Sequence, residues 1–248
     1  MTRRPLVAVS FKAYLGHDET LEWVRRAVPY MREHPDVDVL VLPVLAALPA
    51  VVDVLGDAGR AGAQRVSRVG AGAFTGEVPA GVVAECGGRY AEIGHAERRR
   101  HFGEDDVTFR AEVDAAVAAG LVPLVCVGER HRGSPQQAAA TCLATLAGLG
   151  VPDGAVVAYE PEWAIGADEP APAEHVRAVL RRLREEVGAA TRLLYGGTAG
   201  PGTFTALEGA ADGLFLGRRA HDVTAFGAVI DEVSRTTRRS EDGQHARV

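Results

Sequence analysis

A carboxylate stands near the middle of the chain, where an apolar run meets a loop. Residues 156–160 read Val-Val-Ala-Tyr-Glu, and Pro161 ends the run because proline lacks a backbone N–H and fixes φ. A loop of small residues with one large aromatic, Trp163, follows. The C-terminal end of a buried strand, under a loop that can close, is typical of a catalytic base. A strand-end glutamate that faces water is the alternative for Glu160.

Other residues capable of chemistry also follow apolar runs. Together with Glu160, they provide one ammonium, one imidazole, one carboxylate and two glycine-rich turns. The strand-end residues are Ser10, Lys12, Gln64, Gly94-His95, Cys126, Glu160, Gly196-Gly197-Thr198 and Gly217-Arg218. Glycine turns let backbone N–H groups approach a phosphate closely, and an adjoining helix N-terminus favours the anion. The set predicts proton transfer on a phosphorylated small molecule.

Short apolar runs alternate with segments of helical period along the whole chain. The runs lack strict alternation, so we expect strands covered on both faces; they lie at 6–10, 37–42, 61–66, 90–94, 121–127, 155–160, 192–195 and 213–217. Helical period is clear at 19–34, 106–119, 173–187 and 220–235. Eight strands can close a parallel barrel, so we expect an α/β fold with one (β/α)8 barrel domain over 1–238 and a polar tail over 239–248. An open doubly wound sheet is the alternative.

Composition narrows the classes of protein that the chain can represent. The 248 residues are 47% hydrophobic with a net charge of −6, which argues against an extended nucleic-acid surface. The uncharged apolar runs 39–52 and 115–128 have 14 residues each and are too short to span a membrane. Three widely spaced cysteines form no CxxC pair and no obvious metal-ligand spacing, which indicates a reducing cytoplasm and no metal site.

Five segments together resemble the triosephosphate isomerase family in order and spacing. They are Gly72-Ala73-Phe74-Thr75-Gly76-Glu77, Gly94-His95-Ala96-Glu97-Arg98-Arg99, Cys126-Val127-Gly128-Glu129, Ala158-Tyr159-Glu160-Pro161 with Trp163-Ala164-Ile165-Gly166, and Tyr195-Gly196-Gly197. The resemblance runs from Lys12 to Gly217. It implies a (β/α)8 barrel that needs no cofactor, a homodimer through the Thr75 loop, and a cytoplasmic place in glycolysis and gluconeogenesis.

The resemblance also implies a role for individual residues. Glu160 matches the family's base, His95 its neutral imidazole, and Lys12 the ammonium that steadies the developing oxyanion and the phosphate. Glu97 resembles the carboxylate that positions the lysine, with Ser10 and Cys126 as further supporting residues, although core packing is the alternative for Cys126. The phosphate cradle matches Gly166, Thr198, Gly217 and Arg218, and residues 163–168 match the lid.

The chain departs from the family pattern at several positions. Ser10 replaces an asparagine, and Ala96 replaces a serine after the histidine. Glu162 adds a charge to the near hinge of the lid, and Ala167-Asp168 adds one to the far hinge. Two arginines, Arg218-Arg219, follow Gly217, and Arg65 stands where the family tends to have an asparagine. The shorter Ser10 side chain gives the pocket more room, while the Arg218 side chain either points away or adds a phosphate ligand.

The first functional interpretation is an aldose–ketose isomerase that interconverts dihydroxyacetone phosphate and D-glyceraldehyde 3-phosphate through an enediolate. One alternative is a paralogous isomerase of a four-carbon ketose phosphate of the erythrulose phosphate type. The segment Gly-Leu-Phe-Leu-Gly-Arg at 213–218 resembles such relatives, and the room beside Ser10 suits a longer substrate. A second alternative, suggested by the altered hinges, is a weakly active barrel that binds phosphorylated metabolites.

Overall fold

Eight parallel strands close a barrel in the computed structural model, which describes residues 3–167 and 170–245, the last six by backbone alone. Each strand pairs with the next along the chain, and the last pairs with the first, so the expected (β/α)8 barrel is confirmed. The strands are β1 Leu6–Ser10, β2 Asp38–Leu42, β3 Arg60–Ala63, β4 Tyr90–Ile93, β5 Val122–Val127, β6 Val156–Tyr159, β7 Arg192–Tyr195 and β8 Gly213–Leu216.

Two apolar layers share the alternating side chains of these strands. One layer fills the barrel interior and includes Leu6, Ala8, Leu40, Leu124 and Phe215. The other joins the outer faces of the strands to the surrounding helices. Because successive side chains point to opposite faces, every strand is buried on both sides, which explains the apolar runs in the sequence.

Helices cover the barrel between successive strands. Their bounds are α1 His17–Glu33, α2 Leu48–Leu55, α3 Ala80–Glu85, α4 Ala96–Phe102, α5 Asp106–Ala118, α6 Pro135–Leu149, α7 Ala173–Glu186, α8 Thr203–Ala206 and α9 Val223–His245. Short 3-10 helices occupy Leu45–Ala47, Glu162–Ala164 and Arg218–His221. Ser134 and Gln137 form a capping box at the start of α6.

Several predicted boundaries differ from the structure. The third strand ends at Ala63 and not at residue 66, because Gln64 turns its amide toward the backbone carbonyls of Lys12 and Leu42. The last helix begins at Val223 and not at residue 220, since a 3-10 turn precedes it. The boundary between barrel domain and polar tail stays a prediction; α9 runs across it to His245, and residues 246–248 lie outside the described residues.

No α-helix in the described part of the chain combines the length and the apolar character that crossing a membrane requires.

Candidate functional site

A cavity of about 520 Å³ opens at the C-terminal ends of the barrel strands. Most of the residues that the sequence singles out line it: Ser10, Lys12, His95, Glu97, Glu160, Gly166, Thr198, Gly217 and Arg218. Cys126 lies one layer away and lines a neighbouring cavity of about 390 Å³, which shares Glu160 with the first. The strand ends therefore bring the predicted acid–base and phosphate-binding groups together in one place.

The Glu160 side chain is enclosed by two neighbouring strand ends. A Cβ atom on Gly196 would lie 2.6 Å from Oε1 of Glu160, and one on Gly128 would lie 1.9 Å from its backbone oxygen. Only glycine leaves room at these two positions. Glu160 is 7% exposed, and its Oε2 atom has no hydrogen-bond partner. The carboxylate is thus held on a rigid strand end, with one oxygen free toward the cavity.

Burial sets the acidity of this carboxyl group. Loss of solvent raises the pKa of Glu160 to about 7, against the opposing effects of the Lys12 charge and a hydrogen bond with the Cys126 thiol. A carboxylate with a pKa near neutrality can take up a proton and return it at physiological pH. This acidity suits a general base.

His95 caps the N-terminus of α4. Its Nδ1 atom accepts a hydrogen bond from the backbone N–H of Glu97 at 3.1 Å, so the proton of the neutral ring belongs on Nε2. That Nε2 atom lies 3.6 Å from Oε2 of Glu160. Burial, reinforced by the Lys12 charge, lowers the pKa of His95 to about 4. A neutral imidazole therefore presents one N–H donor to the cavity.

Lys12 follows β1 and has a φ of 51°, a left-handed backbone conformation that residues other than glycine rarely adopt. Gln64 braces this turn, because its Nε2 donates to the backbone oxygens of Lys12 at 3.0 Å and Leu42 at 2.9 Å. The Lys12 ammonium reaches Oε1 of Glu97 at 2.6 Å. The ammonium is thus held at the cavity wall between β1 and α4. Sequence analysis marks Gln64 as a strand-end residue without assigning it this supporting position.

The opposite side of the cavity carries the predicted phosphate-binding residues. Thr198 lines the cavity; it also has a positive φ of 58°, and its hydroxyl donates to the backbone oxygen of Ala164 at 2.8 Å. The guanidinium of Arg218 lines the cavity, and a Cβ atom on Gly166 would lie 3.4 Å from its Nη2. The Arg218 side chain therefore lies beside Gly166, and its role as a phosphate ligand stays a prediction.

A buried carboxylate, Glu129, holds the first residue of the predicted lid. Oε1 of Glu129 accepts a hydrogen bond from the Trp163 indole at 2.7 Å, and the Tyr159 hydroxyl donates to Glu129 at 3.2 Å. Glu162, in the near hinge, lies 3.9 Å from the exposed Arg130 guanidinium. At the far hinge, Asp168 lies outside the described residues.

Cys126 packs within the barrel interior beneath Glu160. Burial raises the pKa of its thiol well above the usual value, with a further contribution from the Glu160 charge. A thiol that stays protonated is not a nucleophile. Cys126 therefore packs in the core beside Glu160 as an unreactive thiol, and its supporting role stays a prediction.

One buried residue behind the cavity wall is not among the residues that the sequence singles out. Glu92 lies within β4, is 4% exposed, and accepts a hydrogen bond from the Ser10 hydroxyl at 2.9 Å. A carboxylate inside an otherwise apolar strand, Tyr-Ala-Glu-Ile, is the signal that could have revealed it. Further charged side chains line the cavity without having been predicted there: Arg100, His101 and Arg219.

Comparison with known proteins gives one family match over nearly the whole chain. The family described as triosephosphate isomerase matches residues 5–233. A solved structure of triosephosphate isomerase from Bartonella henselae superimposes with a TM-score of 0.79 at 28% sequence identity, covering 94% of this chain and 99% of that one.

Two kinds of isomerase occur among the similar proteins. L-erythrulose-1-phosphate isomerase from Pectobacterium atrosepticum is 42% identical, over 93% of this chain and 96% of the relative. Triosephosphate isomerase from Solibacter usitatus is 35% identical, over 92% of this chain and 99% of the relative.

Proposed function

The chain belongs to the triosephosphate isomerase family, and we propose that it moves the carbonyl group of a short sugar phosphate by one carbon through an enediolate. The observation that carries this proposal is the pairing at the cavity floor of the Glu160 carboxylate with the neutral imidazole of His95, whose Nε2 lies 3.6 Å from Oε2 of Glu160. A carboxylate base with a pKa of about 7 beside an uncharged N–H donor is suited to proton transfer at a carbon next to a carbonyl.

In the first proposed step, Glu160 takes the proton from the carbon beside the carbonyl, on the side away from the phosphate. The electrons of that C–H bond form a carbon–carbon double bond, and the carbonyl electron pair moves to oxygen. The Nε2–H of His95 and the Lys12 ammonium stabilise this oxyanion. Because both groups are held in position before the reaction, they stabilise the charge without large reorganisation.

In the second step, the proton moves to the former carbonyl carbon. Protonated Glu160 delivers it from the same face, while the hydroxyl proton of the enediol passes to the neighbouring oxygen through His95. A carbonyl forms one carbon further from the phosphate, and Glu160 returns to its ionised state. Atoms and charge balance without any cofactor.

The phosphate group is assigned to the far side of the cavity. Gly166, Thr198 and Gly217 supply backbone there, and the Arg218 guanidinium adds a positive charge beside Gly166. An arginine fork suits phosphate oxygens. The loop that starts at Trp163 is the proposed lid over the bound substrate, and by excluding water it would limit loss of phosphate from the enediolate.

For the substrate, we put a four-carbon ketose phosphate such as L-erythrulose 1-phosphate first. The 42% identity to an L-erythrulose-1-phosphate isomerase supports this choice, as does the short Ser10 side chain at the cavity wall. This compound differs from a triose phosphate by one hydroxymethyl group on the carbon that loses the proton. The same two steps then give a ketose with its carbonyl at carbon 3.

Triose phosphates form the second candidate substrate pair. The family match over residues 5–233 and the retained Lys12, His95 and Glu160 favour the interconversion of dihydroxyacetone phosphate and D-glyceraldehyde 3-phosphate. The role of the protein would then lie in glycolysis and gluconeogenesis. The sequence placed this pair first; the comparisons support the isomerase class without favouring it over the four-carbon alternative.

The experiment is a measurement of kcat/KM for L-erythrulose 1-phosphate and for D-glyceraldehyde 3-phosphate, with Glu160→Gln as the control variant. We expect turnover of both, with the four-carbon substrate preferred and both activities lost in the variant. A preference for the triose would move the assignment to the second candidate. Binding of 2-phosphoglycolate without turnover of either substrate would contradict the isomerase proposal.

We also propose that the protein acts in the cytoplasm as a homodimer. Residues 71–77 are all exposed, and Phe74 leaves 49% of its surface in contact with solvent. An apolar side chain at the tip of a projecting loop is suited to burial in a second copy. Thr75, next to Phe74, marks the centre of the proposed contact.

A further inference from the structure

A carboxyl group that takes no part in the two proton-transfer steps is buried behind the wall of the cavity. Glu92 is the third residue of β4, between Ala91 and Ile93, which pack in the outer layer. Alternation along the strand therefore turns Glu92 into the barrel. There its Oε2 atom accepts a hydrogen bond from the hydroxyl of Ser10, which is 2% exposed and lines the cavity.

An acidic side chain at this place has an energetic cost that an apolar one would avoid. Burial, and then the neighbouring Glu160 charge, raise the pKa of Glu92 to about 8, so the carboxyl group is mostly protonated at neutral pH. Burying even a neutral carboxyl group is unfavourable unless its polar atoms are hydrogen-bonded. Glu92 meets this requirement through Ser10, and a polar pair kept inside an apolar barrel next to the cavity is a candidate for a role in ligand recognition.

The topology gives this pair a position relative to the substrate. Phosphate-binding residues follow β7 and β8, and β4 is diametrically opposite β8 in the closed barrel. A sugar phosphate anchored by Thr198 and Arg218 extends its free end across the barrel, toward the strand that carries Glu92 and ends next to His95. Ser10 ends β1, which pairs with β8, and its hydrogen bond to Glu92 reaches across the barrel interior to β4. The end of the substrate furthest from the phosphate would meet this hydrogen bond.

We propose that Glu92 and Ser10 form a specificity-determining pair that binds the terminal hydroxymethyl group of a four-carbon sugar phosphate. Ser10 makes the contact with the substrate, and Glu92 is the positioning residue. Because the Ser10 hydroxyl donates its proton to Glu92, its Oγ lone pairs are left to accept a hydrogen bond from the substrate hydroxyl. This inference rests on the proposed four-carbon substrate and adds the residues that recognise its extra group.

The test compares selectivity in three variants, Ser10→Ala, Glu92→Leu and Glu92→Gln. For each we would measure kcat/KM with L-erythrulose 1-phosphate and with D-glyceraldehyde 3-phosphate, and inhibition by 2-phosphoglycolate, which lacks the hydroxymethyl group. Ser10→Ala and Glu92→Leu are expected to lower the ratio of four-carbon to three-carbon kcat/KM by about tenfold, the usual effect of losing one hydrogen bond to substrate. Inhibition should stay within about twofold, because the phosphate-binding side is unchanged.

Glu92→Gln serves as the matched conservative variant. Its amide oxygen can still accept the Ser10 proton, so the ratio should stay within about threefold of the wild-type value. A purely structural role for Glu92 would instead lower both activities by the same factor and leave the ratio unchanged. If Glu92→Leu does not fold, as judged by circular dichroism, Ser10→Ala alone decides the outcome.

Two failures can be told apart. A wild-type protein that prefers the four-carbon substrate, with an unchanged ratio in Ser10→Ala, would overturn the recognition role and leave the proposed function standing. A wild-type protein without four-carbon turnover would overturn the proposed substrate and this inference together.

Discussion

Nε2 of His95 lies 3.6 Å from Oε2 of Glu160, although the two residues are 65 positions apart in the chain and follow different strands of the barrel. One brings a neutral N–H donor and the other a carboxylate of near-neutral pKa to the same point of the cavity. Burial is the main cause of both shifts, because it disfavours the charged form of each group. The base and the electrophile are thereby matched to one reaction at neutral pH.

Activity should follow the ionisation of Glu160. The base acts as a carboxylate, and its pKa is raised to about 7, so the active form is lost as pH falls through that value. We expect kcat/KM to fall about tenfold per pH unit below about pH 6 and to be level above about pH 8. Glu160→Gln should lower kcat by about 10² to 10⁴-fold at all pH values.

Substitution of the neighbouring charged residue Glu162 provides a control for the pH profile of kcat/KM. Glu162 raises the pKa of Glu160, so Glu162→Gln should move the midpoint of the profile to lower pH. The substrate phosphate has its own ionisation near pH 6, and the pH dependence of 2-phosphoglycolate binding in Glu160→Gln measures that contribution separately. If the pH midpoint of kcat/KM is the same in the wild-type protein and in Glu162→Gln, a group other than Glu160 controls the profile.

His95 should remain neutral throughout the active range. Its pKa is lowered to about 4, and its Nδ1 atom accepts a hydrogen bond from the backbone. Nitrogen-15 NMR of the imidazole is therefore expected to show a single tautomer, protonated on Nε2, from pH 5 to pH 8. A titration of this ring with a midpoint between 6 and 7 would contradict the assignment of a neutral donor.

Arg218 should contribute to phosphate binding through its side chain. Its guanidinium lies beside Gly166 at the wall of the cavity, so Arg218→Met is expected to weaken 2-phosphoglycolate binding by about tenfold, as for a charge-assisted hydrogen bond. Arg130→Met, which removes an exposed arginine outside this cavity, is the control and should change binding by less than about twofold. Equal effects of the two substitutions would indicate only a general electrostatic attraction.

The proposed dimer can be tested at the Thr75 loop. We expect light scattering to give twice the monomer mass at micromolar concentration, and Phe74→Asp to give monomers because it buries a charge in the contact. Val117→Asp, which alters another exposed apolar residue, should leave the dimer intact. A monomeric wild-type protein would show that the loop docks on no second copy.

Much of the fold is predictable because the strands are buried on both faces. Apolar runs of four to seven residues between helical segments are distinct, and β1 and β7 begin and end where the sequence predicts. The end of β3 is harder to predict, because it depends on two hydrogen bonds from Gln64 to strands that are distant in the sequence.

The candidate site is predictable where a residue type and a strand end coincide, as at Glu160, His95 and Lys12. Glu92 escaped because its strand neighbours are apolar on both faces, so the pattern does not reveal which side chains face the barrel interior. The direction of Arg218 was also open, since the position of a long side chain depends on tertiary neighbours such as the Gly166 loop.

Solvent deuterium tests the central claim most directly, because Glu160 must carry a proton between two adjacent carbons of the substrate. The wild-type protein would convert L-erythrulose 1-phosphate in deuterium oxide, and proton NMR would locate the label in the product. Because the proton on Glu160 can exchange with solvent between the two steps, the account predicts deuterium on the former carbonyl carbon alone, at up to one per molecule, with product forming about 10² to 10⁴-fold more slowly in Glu160→Gln. Deuterium on any other carbon of the product, or equal rates of product formation in the wild-type protein and in Glu160→Gln, would contradict it.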